Sequence, residues 1–153
     1  MSKYILIMSI FFSFFFMGCS DVKEENKKLK KTSQKLDVFV DKETGYVWLD
    51  NNQTKQLKKD WLDAQSYCEE LYANGYEDWH LPTKKQLQTL VDKSNTPAIK
   101  SGFKNVVPKG YWTNEKIEVK DGYVWAIYFN HGGEVWELNT DTNYVRCVRG
   151  KND

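Results

Sequence analysis

The sequence predicts an α+β domain, in which two helices pack on a small antiparallel sheet beside a long irregular loop. Three observations lead there. Apolar residues recur every three to four positions through Trp61, Ala64, Tyr67 or Cys68 and Leu71, and again through Leu87, Leu90 and Val91, which places them on one helical face. Large side chains alternate through Gly122 to Phe129, followed by two further β-branched and aromatic runs. Between the helical and strand-like parts, Pro97, Gly102, Pro108 and Gly110 interrupt any period.

The chain of 153 residues opens with Lys3 and an apolar run from Tyr4 to Met17. A short positive region followed by that run suits a signal peptide over residues 1–18, and it is shorter than the ~20 residues a spanning helix needs. Phe16-Met17-Gly18-Cys19 looks like the lipobox of bacterial lipoproteins, in which the cysteine thiol is acylated and the leader is cut in front of it. By the same resemblance, Ser20 rather than Asp after the cysteine implies an outer-membrane destination in the cell envelope. Residues 19–37 then carry the lipid-anchored Cys19 and a charged flexible linker, with six Lys against four acids between Asp21 and Asp37.

Residues 38–153 are expected to form one domain, large enough for a single core and too small for two. Aromatic residues make up 15% of the chain, and six are Trp, so there are large apolar bodies to bury. From Val38 onward 15 basic residues face 17 acidic ones, a formal charge of 15 − 17 = −2, which argues against nucleic acid as a partner.

Thr44 to Asp50 reads as a turn and a short strand, closed by Asn51-Asn52. Asp60 is a candidate N-cap for a first helix of about thirteen residues, with Gly75 just past its end. Thr83-Lys84-Lys85-Gln86 spells a capping box after Pro82 and starts a second, shorter helix. Tyr111-Trp112-Thr113 is a brief extended segment. Gly122 to Phe129 and Glu134 to Leu138 form two strands joined through His131-Gly132-Gly133, and Asn143 to Gly150 forms a last one. On that last strand Val145 and Cys147 share one face, while Tyr144, Arg146 and Val148 share the other.

Thr44-Gly45-Tyr46-Val47-Trp48-Leu49-Asp50, Trp61 through Cys68, Gly75-Tyr76-Glu77-Asp78-Trp79-His80-Leu81-Pro82-Thr83, Tyr111-Trp112-Thr113 and Val145-Arg146-Cys147-Val148-Arg149-Gly150 resemble, in order and spacing, the Lcl C-terminal domain family. The resemblance covers about 110 residues, nearly the whole domain, and implies a C-type-lectin-like fold related to sulfatase-modifying factors. It also implies a surface module for adhesion or binding. One departure is His80, where the family usually has Arg.

Cys68 and Cys147 remain once Cys19 is assigned to the lipid. The resemblance implies that they form the long disulfide of lectin-like folds; two buried free thiols are the other reading. Catalysis has little to rest on. The chain lacks G-x-S-x-G, H-E-x-x-H and P-loop patterns, and its two histidines read as a packed or capping His80 and a turn residue, His131. No cofactor is expected. The Glu-Pro-Asn, Gln-Pro-Asp and Trp-Asn-Asp motifs of calcium-dependent lectins are missing, so no metal site of that kind is expected either.

The expected function is therefore a membrane-anchored lipoprotein displaying a non-catalytic binding or adhesion domain for a glycan or protein. The alternative is a structural envelope subunit that docks a partner protein. Candidate ligand residues are Trp112 and Trp136 for their flat apolar faces, and Asn114, Glu115, Asn130 and Glu134 for hydrogen bonding on adjoining turns.

Overall fold

A computed structural model describes residues 32–150; the expected signal peptide, the Cys19 lipidation site and most of the linker lie outside the described residues. The fold is α+β, mostly sheet with two short helices. Among the described residues eight strands form two sheets rather than the single sheet expected, and no helix is long and apolar enough to cross a membrane.

The smaller sheet has the order β1-β2-β8, from Val38–Val40, Val47–Leu49 and Val148–Arg149, all antiparallel. The larger has the order β3-β7-β4-β5-β6, from Lys58–Lys59, Asn143–Tyr144, Gly110–Lys116, Tyr123–Tyr128 and Gly133–Leu138. It is antiparallel except where β4 meets β7 at Tyr111 and Tyr144. The turn before β6 is made by Gly132, whose φ of +68° is costly for any residue with a Cβ.

Helix α1 spans Trp61–Glu69, capped by the Asp60 carboxylate, which accepts from the Asp63 N–H at 2.9 Å. It is shorter than expected because the chain after Glu70 finds other partners. The Asn74 N–H donates to the Gln34 carbonyl, the Asn74 side chain exchanges two bonds with Leu36, and the Gly75 N–H donates to Ser33 Oγ. The end of the linker is thus fastened to the domain from Ser33 onward. Helix α2, Lys84–Gln88, starts on the expected capping box between Thr83 and Gln86.

Two buried clusters form the core. One packs Trp61, Ala64 and Cys68 of α1 against Trp112, Val124 and Ala126 of the larger sheet. The other joins Leu87 and Leu90 to Trp48, Tyr111, Ile127, Phe129 and Val148. The last strand is not continuous. Residues 145–147 cross from one sheet to the other, because the Val145 N–H donates to the Leu57 carbonyl, Arg146 turns inward and Cys147 is bonded to Cys68. The expected alternation still holds: Val145 and Cys147 join the first cluster, Tyr144 and Val148 the second. The disulfide closes a separation of 79 residues, which the chain-entropy picture values at about 4.5 kcal/mol.

Arg146 is fully buried. It donates to the Leu49 carbonyl, to the Asp50 carboxylate at 3.2 Å and to the Asn105 carbonyl, while its guanidinium lies 4.9 Å from the Phe103 ring centroid. Asp50 also accepts from the backbone N–H groups of Lys104 and Asn105, at 2.8 and 2.9 Å. This pair ties the long loop to the end of β2. Replacing Arg146 by Met leaves a buried carboxylate without its cation, and the expected loss is about 3–5 kcal/mol by chemical denaturation. A loss below about 1 kcal/mol would show that Asp50 does not depend on it.

Candidate binding surface

The sheet and α2 bring one group of candidate side chains together at the outer end of the larger sheet. Trp125 on β5 lies opposite Trp136 on β6 in the strand register, and their rings meet edge to face at 5.7 Å and 83°. Ile127 and Glu134 are the next opposed pair on the same face. Ile127 is covered by the core cluster that includes Leu87, whereas Trp136 remains 45% exposed and Leu138 40%.

Lys84 closes the group from the start of α2. Its ammonium lies 4.0 Å from the Trp125 ring centroid and 3.2 Å from a Glu134 carboxylate oxygen. Gln88, one turn further along α2, donates to the other Glu134 oxygen. The backbone N–H of Lys84 donates to Glu115 at 2.7 Å, and the Asn114 N–H donates to the Pro82 carbonyl at 2.8 Å, so β4 and α2 are fixed to each other here. The Asn114 side-chain oxygen is buried with no hydrogen-bond partner. The result is a tryptophan corner with a cation, two carboxylates and two amides beside it.

Of the expected ligand residues, Glu115, Glu134 and Trp136 belong to this group, and Asn114 borders it. Trp112 does not. It is fully buried among α1 and the sheet, and its indole N–H donates to the Lys59 carbonyl at 2.8 Å, so it serves the core. Asn130 is exposed in the turn between β5 and β6 and is not brought into the group. Lys84 and Gln88 were not expected. Their spacing of four residues after a capping box was a usable signal, since it places both on one face of the second helix.

Elsewhere, His80 pairs by backbone with Val148 and its ring contacts the Gln86 side-chain oxygen at 3.3 Å, as a packed residue does. His131 is exposed and stacks on Tyr128. An open recess of about 490 Å³ near Asp41, Glu43 and Asp92 has its first two carboxylates engaged, because Lys100 pairs with Asp41 at 3.2 Å and Glu43 at 2.6 Å. Among the described residues no group of three or more His, Cys, Asp or Glu is arranged to hold a metal ion.

On the opposite face of β5 and β6, the Tyr128 hydroxyl donates to Glu137 at 2.6 Å, and that bond pushes its pKa up to about 12. A raised phenol contributes stability that is complete below its unfolded value near 10 and is lost as pH rises toward 12. Glu137→Gln should bring this ionisation back toward 10 in a spectrophotometric titration of the tyrosines; an unchanged curve would mean the bond does not form. The two tryptophans should separate by stability as well. Trp112→Ala is expected to cost about 3–5 kcal/mol and Trp136→Ala about 1 kcal/mol or less in equilibrium unfolding. Equal losses would contradict the placement.

The family model described as the Lcl C-terminal domain matches residues 37–149, most of the chain. No curated protein matches.

Proposed function

The chain belongs to the Lcl C-terminal domain family, and on that premise we propose that it is a lipid-anchored protein of the bacterial cell envelope whose domain, C-type-lectin-like in fold, binds a saccharide without catalysing a reaction. The lectin-like assignment is supported by the disulfide that joins α1 to the segment before the C-terminal strand, and by the long loop between the helices and the final strands. The observation that carries the binding reading is the half-exposed Trp136 set against Trp125, with Lys84, Glu134 and Gln88 at its edge. A flat indole face offers apolar contact to the C–H face of a sugar ring, and convergent polar groups beside it fix orientation.

The charge of the group favours a neutral saccharide over a sulfated one. Lys84, 4.0 Å from the Trp125 ring centroid, is already paired with Glu134, with Glu115 close to its backbone, so the cation over Trp125 is not free for a sulfate. Anchoring rests on the Cys19 lipobox and outer-membrane placement on Ser20.

A glycan array probed with the detergent-solubilised full chain should show binding to neutral saccharides, weakened at least tenfold by Trp136→Ala, equivalent to about 1.4 kcal/mol. Binding confined to sulfated glycans, or unaffected by that change, would overturn the reading. Metabolic labelling with palmitate should mark the chain and not its Cys19→Ala variant; equal labelling of both would count against the anchor.

A further inference from the structure

The four outermost strands of the two sheets differ in how their edges are protected, β8 being two residues long and bridged at Val148 by the backbone of His80. Strand β3 is two residues long and both are Lys, and β1 is three residues long. Short strands and lysines are the usual means of preventing edge-to-edge pairing. Strand β6 has neither. It runs six residues, Gly-Glu-Val-Trp-Glu-Leu, without Pro or Lys, and pairs with β5 in unbroken register from Tyr123↔Leu138 to Tyr128↔Gly133.

The hydrogen-bond phase of that pairing shows which way its backbone points. The Asn139 N–H donates to the Gly122 carbonyl at 2.8 Å, so this pair is of the bonded kind. Bonded pairs alternate along an antiparallel ladder, so residues 135 and 137 direct their backbone groups to β5. Glu134, Trp136 and Leu138 therefore direct theirs to the open edge. These are the same residues whose side chains are exposed on the Trp125 face.

We infer that the β6 edge pairs antiparallel with the β6 edge of a second copy of this chain, about a twofold axis through Trp136. The strand is self-complementary in that register. Trp136 faces Trp136 of the other copy, Glu134 faces Leu138, and Val135 faces Glu137, so no carboxylate lies directly opposite another. Each strand's two carboxylates are also engaged within their own subunit, Glu134 by Lys84 at 3.2 Å and Glu137 by the Tyr128 hydroxyl at 2.6 Å. Shifting the register by two residues toward the C-terminus would set Glu137 against Glu137. The Leu138 carbonyl already accepts from Asp141, but the ladder does not need it. Reciprocal bonds at Trp136, and one from each Leu138 N–H to the other copy's Glu134 carbonyl, close the pair. The two larger sheets become one, and their Trp125 and Trp136 pairs form a single aromatic strip across the axis.

The inference goes beyond saccharide binding and is tested without any ligand. Residues opposed as a bonded antiparallel pair have Cα atoms about 5.5 Å apart, within the range a disulfide spans. The full chain carrying Trp136→Cys, oxidised mildly in isolated membranes, should yield a covalent dimer on a non-reducing gel. The double variant Glu134→Cys with Leu138→Cys should do the same, guarding against a local effect of losing Trp136, while Glu134→Cys alone should remain monomeric. Three results would overturn the inference. They are failure of both the first variants to cross-link with Cys68–Cys147 intact, equal cross-linking by Glu134→Cys alone, and a cross-linked species whose mass is not twice that of the chain.

Discussion

The short segment from Val145 to Val148 is the constraint on which the rest of the structure depends. Within four residues it bonds to Leu57 by backbone, to Asp50 through Arg146, to α1 through Cys147 and to His80 through Val148. It also passes from the larger sheet to the smaller one. No single helix or hairpin here is long enough to hold itself together in water. Their stability is therefore tertiary, and this crossing is where the tertiary contacts of both sheets, a helix and the long loop converge.

Its buried ion pair illustrates how the loop is held. Removing two charges from water is unfavourable, and the attraction between them repays that only when the remaining donors and acceptors are satisfied. Asp50 meets the condition with two backbone donors from the loop, and Arg146 comes close to it with two carbonyls and the faces of Phe103 and Tyr111. The Arg146 Nε is the part left without a partner. Satisfying these charges requires residues 103–105 to come to the end of β2, which gives a segment without regular secondary structure one defined course.

With the core fixed at that crossing, the far end of the larger sheet is left comparatively bare. Helix α2 covers Ile127, reaches Trp125 through Lys84 and leaves Trp136 half exposed, and among the described residues β6 has no strand beyond it. The two consequences share one cause. The uncovered face is what the proposed saccharide would occupy, and the uncovered edge, which carries the backbone of the same residues, is what the proposed second copy would pair with. Lys84 and Glu134 serve both, since their mutual pairing places a cation over the Trp125 ring and leaves the strand without a free carboxylate on that face.

The sequence by itself determined the features whose cause is local. Asp60 caps the first helix, Thr83 and Gln86 box the second, Gly132 turns the last hairpin and the parity of residues 144–148 is correct, because each depends on residues at most four apart. The family was legible too, since ordered motifs along the chain carry it. Only the tertiary structure decided which tryptophan faces solvent. Trp112 and Trp136 both lie in aromatic strand segments, but Trp112 is on an inner strand under α1 and Trp136 is on the edge. It likewise decided the two-residue strands, the break before β8 and the end of α1 at Glu69, where Ser33 to Leu36 claim the following backbone. Strand order and coverage arise from contacts between residues far apart in the chain, and such contacts leave no period in the sequence.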